Sequence, residues 1–211
     1  MQRTKWVARV GAAALVLSTG AEAQAAPLIS ELLYDAVGAD DGKAFVELYG
    51  TPGASLDGLR LQSVNGDNGQ VTATLVLAGT FPADGLFVVA DRTSAGTTSI
   101  ENADLLLDFD LQNGPDSLVL RDATSVLDAV GYGVFDVGQV FAGEGDPAED
   151  GAAGTSLARV FADVDTGDNA ADFAVLDVPT PGTALLAPVP EPATAGLVGL
   201  GCAVLARRRR R

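Results

Sequence analysis

The sequence predicts an all-β domain, an antiparallel sandwich or barrel. Three observations carry this. Eight or nine short stretches alternate or run apolar, at spacings of roughly 8–14 residues. Gly, Asn, Asp and Pro divide them into strands and turns. No amphipathic helical pattern of useful length interrupts the series.

Leu28–Tyr34 (LISELLY) reads as the first strand and Ala44–Tyr49 as the second, joined by the Gly- and Asp-punctuated loop Val37–Gly42. Each strand carries one acid in an apolar run, Glu31 and Glu47. A carboxylate buried on a strand is costly unless it accepts hydrogen bonds. These two are therefore outward or structurally satisfied, or else side by side as a small cation or amine site. Leu56–Leu61 begins a third strand. Asn65-Gly66 predicts a primed hairpin turn, from which Val71–Leu77 returns. Leu86–Ala90 (LFVVA) is continuous enough for a central strand, and Ala103–Asp110 is ambiguous between strand and short helix. Ser117–Arg121 and Ser125–Tyr132 follow, and Thr155–Phe161 is the last clear strand. Val134–Gly154, acidic and Gly-rich, is expected to be an exposed, mobile excursion. Asp163–Asp177 reads as an acidic loop, and Pro179–Gly182 closes the domain.

The two ends have a different character. Residues 1–26 read as a signal peptide for signal peptidase: basic Arg3, Lys5 and Arg9, then the apolar Val10–Ser18, too short to span a bilayer. Small residues at A-x-A offsets put cleavage at Ala23 or Ala25. The folded domain is expected over 27–184. Residues 185–211 then hold a linker, Pro190-Glu191-Pro192, the apolar stretch Ala193–Ala206 and the cluster Arg207–Arg211. That stretch suits a short hydrophobic helix inserted transiently in the membrane. The arginines stay cytoplasmic by the positive-inside rule, with the domain outside. A permanent inner-membrane anchor is the alternative.

Of the 28 acids, all but Glu22 and Glu191 fall in residues 27–190, against five basic residues there, a formal net charge of −21. Such a surface repels phosphate backbones, so nucleic acid is not a partner. Cations, basic partners or a salty medium fit it better.

The chain has no His, and its one Cys, Cys202, lies in the tail. Ser-His-Asp and Cys-His catalysis and Cys/His metal sites are thereby excluded. Lys43 is the domain's one lysine, and nothing near it reads as a nucleophile elbow. Asp165-Thr166-Gly167 spells an aspartic-protease triplet, but once and in a polar loop, where that chemistry needs two. A paired-carboxylate hydrolase is not singled out by any spacing. The run Asp163–Asp168 alternates oxygens around a Gly as a calcium loop does, without the bidentate Glu, which makes Asp163, Asp165 and Asp168 the calcium candidates and a solvated turn the plainer reading. Glu144, Asp146, Glu149 and Asp150 form a second acidic group, read as a solvated loop. No catalytic residue or cofactor is assigned.

Several motifs fall in one order: Leu28–Tyr34 (LISELLY), Phe45–Leu48 (FVEL), Leu56–Leu61 (LDGLRL), Asn113–Leu120 (NGPDSLVL), Leu127–Tyr132 (LDAVGY), Ser156–Arg159 (SLAR), Asp168–Phe173 (DNAADF) and Pro179–Gly182 (PTPG). In that order they resemble the lamin-tail domain. Leu59 stands where an aromatic is commoner, and the long Val134–Gly154 excursion departs from the compact pattern. The resemblance implies an immunoglobulin-like antiparallel β-sandwich with a binding or display role and no defined catalytic residues. The tail resembles a PEP-CTERM sorting signal. That implies an exosortase that cuts near Pro190-Glu191-Pro192 and passes the protein to the cell surface or extracellular matrix.

The expected function is a non-enzymatic interaction or structural module at the envelope, surface or matrix, with an unidentified protein or matrix partner. The alternatives are a calcium-dependent adhesion or matrix protein and, further off, an acidic hydrolase.

Overall fold

The computed structural model describes residues 25–188, and these are nearly all β. Ala23, Pro190, Glu191, Pro192 and the expected C-terminal hydrophobic helix lie outside the described residues; Ala25 is the first inside them. No helix among the described residues is long and apolar enough to cross a membrane.

Two sheets form. The six-stranded sheet uses β1 (Leu28–Leu33), β2 (Phe45–Tyr49), β5 (Leu86–Asp91), β6 (Leu105–Leu107), β9 (Ser156–Arg159) and β10 (Phe173–Leu176), in the order β10-β9-β1-β2-β5-β6. The four-stranded sheet has β3 (Arg60–Asn65), β4 (Val71–Val76), β7 (Asp116–Arg121) and β8 (Val126–Tyr132), in the order β4-β3-β7-β8. All pairings are antiparallel except β5 with β6, which run parallel and make the larger sheet mixed.

Alternation along the strands decides what goes inside. Ile29, Leu32, Val46, Leu48, Phe87 and Val89 of the larger sheet share one core with Leu61, Leu75, Leu118, Leu120 and Val130 of the smaller. The other face of the larger sheet carries Leu33, Phe45, Val88 and Ala90, with Ile100 and Ala103 from the loop after β5 packed on them. Glu31 and Glu47 share that outer face, because Glu31 pairs with Glu47 as Leu33 pairs with Phe45.

The structure departs from the sequence expectations in three places and decides one open alternative. Asp163–Asp177 is more than a loop: Asp168 N-caps a single helical turn, α1 (Asn169–Asp172), which leads straight into β10. The ambiguous Ala103–Asp110 stretch contributes the three-residue β6. Gly66 does not take the positive φ of a primed turn; Gly69 does. Gly66 is needed for closeness instead. Its N–H donates to Pro115 O and to Asp116 Oδ1, and a Cβ there would collide with the Pro115 carbonyl. The 134–154 excursion is exposed at many positions, as at Val134 and Val137, but it is also hydrogen-bonded to the domain. Val140 N donates to Gly66 O, Ala142 N to Ser117 Oγ and Ala148 N to Gly131 O, while Phe135 and Phe141 meet edge-to-face at 5.2 Å.

Candidate functional site: a carboxylate clasp at the C-terminal exit

Glu31 and Glu47 stand directly opposite each other on neighbouring strands, 1% and 0% exposed. Two like charges in register would repel. The structure answers with five hydrogen-bond donations into the pair. Glu31 accepts from Ser156 Oγ (2.6 Å), Thr180 N (2.8 Å) and Thr180 Oγ1 (2.8 Å). Glu47 accepts from Ser30 Oγ (2.7 Å) and Gly182 N (2.7 Å). Burial, against these bonds, pushes the Glu47 carboxyl up to about 7, and the Glu31 charge beside it adds to the rise.

Three of the five donors belong to Pro179–Gly182, so the pair works as a clasp. It folds the chain's exit segment across the outer face of β1 and β2. Asn102 donates to Pro181 O (3.0 Å), joining this segment to the loop that covers the rest of the face. The tie continues outward: Ala162 N donates to Leu185 O and Ala187 N to Asp163 Oδ1 (2.7 Å). An apolar pocket of about 430 Å³ adjoins it, lined by Ala158, Val160, Ala174, Leu176 and Leu185 together with the two glutamates. Every carboxylate oxygen of the pair already accepts a bond from the protein.

A second buried polar group crosses between the sheets. Arg159 of β9 donates from Nη2 to both oxygens of Asp128 on β8 (2.9 and 3.0 Å) and from Nη1 to Asp172 Oδ2 (2.8 Å) and Val164 O; its Nε bonds Ile29 O. Its guanidinium lies 4.6 Å from the Phe173 ring centroid. Asp128 also accepts from Ile29 N, which closes a ring of bonds from one sheet to the other.

The three calcium candidates are given separate tasks. Asp163 holds the exit segment, and Asp168 caps α1 and accepts from Asp146 N. Asp165 accepts from Gly167 N and lies 3.6 Å from Arg159 Nη1. Among the described residues, the carboxylates close enough to share a cation are Asp128, Glu144 and Asp165, within 4.8 Å of one another. Glu144 Oε2 is buried there without a hydrogen-bond partner. Burial, together with the charges on Asp128 and Asp165, raises the Glu144 carboxyl to about 7. Sequence reasoning placed Glu144 in a solvated loop and gave Arg159 no role. The signal available was the isolation of Arg159, one of five basic residues in a domain of 26 acids.

Residues 188–211 match the PEP-CTERM protein-sorting motif. That motif indicates exosortase-dependent sorting to the cell envelope or extracellular space. It begins one residue beyond Ala187, among the described residues the last one tied to the domain by a hydrogen bond. No curated protein and no solved structure matches the chain.

Proposed function

We propose that the chain is an exported, non-enzymatic interaction or structural module. Its domain is a lamin-tail-like, immunoglobulin-like sandwich, displayed at the cell surface or in the extracellular matrix after an exosortase removes the tail. The observation that carries this reading is the sorting motif at 188–211, placed directly after the clasped exit segment of an all-β domain. Two sheets around one core and the ordered series of motifs from LISELLY to PTPG support the fold. The absence of His from the chain and the commitment of Glu31, Glu47, Asp128 and Asp172 to hydrogen bonds support a role without catalysis. Mass spectrometry of the protein recovered from its native cell surface tests the reading. A C-terminus close to Pro192 is expected, and an intact Arg207–Arg211 tail would overturn it in favour of a permanent anchor.

A second reading, calcium-dependent adhesion, draws on one observation: the unpartnered Glu144 Oε2 beside Asp128 and Asp165. Calcium at this point would raise the melting midpoint. An unmoved midpoint at millimolar calcium removes the reading.

A further inference from the structure

Two sheets have four edges, and three of them are blunted. The β6 edge is three residues long and bounded by Asp104 and Asp108. The outer side of β8 is occupied: Asn169 bonds Ala129 O and Gly131 N through its side chain, and Ala148 N takes Gly131 O. β10 is four residues long and bounded by Asp172 and Asp177. Short length, covering groups and flanking charge are the usual protections of a sheet edge.

β4 has none of these. It is six residues long, VTATLV, and pairs with β3 alone. A register shift near Ser63 leaves Thr72 out of the pairing, after which Ala73–Val76 is regular, and Leu77 N continues it by bonding Leu59 O. Thr74 and Val76 are exposed, Val76 at 66%, while Leu75 between them is buried in the core. From Asn68 to Ala83 the sequence contains no charged residue, in a domain of net charge −21. Among the described residues, no backbone group of Val71–Val76 bonds anything beyond its own sheet.

We infer that β4 is a dimerisation edge and that its occupant is β4 of a second copy of this chain. The charge distribution selects that occupant. Two copies repel over most of their surface, and this edge is the neutral stretch they can bring together. An antiparallel approach about a two-fold axis at Leu75 sets neutral strand against neutral strand. It makes one eight-stranded sheet from two four-stranded ones, keeps both cores on the same side, and places Thr74 of each copy opposite Val76 of the other. Uncharged β-branched side chains suit such cross-strand pairs.

Sedimentation of the processed protein released from its native cell surface tests the inference. The parent sediments as a dimer. T74E/V76E puts like charges opposite each other and weakens the dimer about tenfold to a hundredfold in Kd. T74K/V76E puts Lys opposite Glu in both copies and restores it. Raising salt tightens the parent dimer, because it screens the repulsion between the acidic bodies. A monomeric parent at about hundred-micromolar concentration, a T74E/V76E protein that dimerises as tightly as the parent, or a dimer that salt dissociates overturns the interface. A monomeric T74K/V76E protein overturns the pairing about Leu75. The sorting reading stands or falls separately, on the mass of the C-terminus.

Discussion

Glu47 shows how one buried group sets a pH dependence. Its carboxyl titrates near 7 in the folded domain and near 4.5 in an exposed chain, so the folded state holds the proton longer. Stability from this group is fully present below 4.5 and is lost as pH rises through 7. Glu47→Gln keeps an oxygen for Gly182 N and an amide for Ser30 Oγ. Its melting midpoint should exceed the parent's at pH 8, by a free-energy difference on the order of 2 kcal/mol, and the gap should close by pH 4.5. A constant gap across that range would disprove the titration. Arg159 sets the opposite kind of sensitivity. Arg159→Ala leaves Asp128 and Asp172 buried and unpaired, and urea unfolding should show a loss of about 3–5 kcal/mol. Lys, with a compact ammonium in place of a planar fork, recovers only part of this.

Among the elements, the exit segment Pro179–Gly182 supplies three of the five hydrogen bonds into the buried glutamate pair. Thr180→Val removes the Oγ1 bond to Glu31 and should cost about 1 kcal/mol in a urea melt. Glu31→Ala removes the acceptor for Ser156 Oγ, Thr180 N and Thr180 Oγ1 together, and should cost about 2–4 kcal/mol and expose residues 179–187 to early proteolysis. The strands were largely legible because alternation and turn residues are local signals. Leu28–Leu33, Phe45–Tyr49, Val71–Val76 and Leu86–Asp91 fall within a residue of expectation. α1 and β10 were not, since a one-turn helix followed by four residues of strand between Asp172 and Asp177 has no period to read. The direction of β6 was hidden too, because periodicity says nothing about a partner. The clasp was half legible. Glu31 and Glu47 stood out as acids in apolar runs, but their donors lie 149 and 135 residues along the chain. Arg159 and Asp128 have the same difficulty, on strands of different sheets.

For the whole molecule, charge is the dominant property. A body with a formal net charge of −21 between residues 27 and 190 repels itself internally, so added salt should raise its melting midpoint. That shift should occur with sodium as well as with calcium, and calcium's excess over sodium at equal ionic strength isolates any specific site. Glu144 adds to the trend, since its carboxyl ionises near 7 beside Asp128 and Asp165. The nearly all-β, two-sheet character followed from composition and punctuation together. The sorting motif at 188–211 is a contiguous signal, which is why the envelope or extracellular address was more legible than any partner.

The clasp has a mechanical consequence for a protein held by its C-terminus. A pull on residue 188 does not first reach β10, the edge strand that would peel away one bond at a time. It reaches the ties of Ala187 to Asp163 and of Leu185 to Ala162, then Gly182 and Thr180, and through these Glu47 and Glu31 on β2 and β1, the middle of the larger sheet. Load passes from these outer ties to the centre of the sheet and is spread across several bonds before it arrives at β10. A force applied from this end is therefore shared between the exit segment's own ties and β1 and β2, instead of unzipping the sheet from its edge.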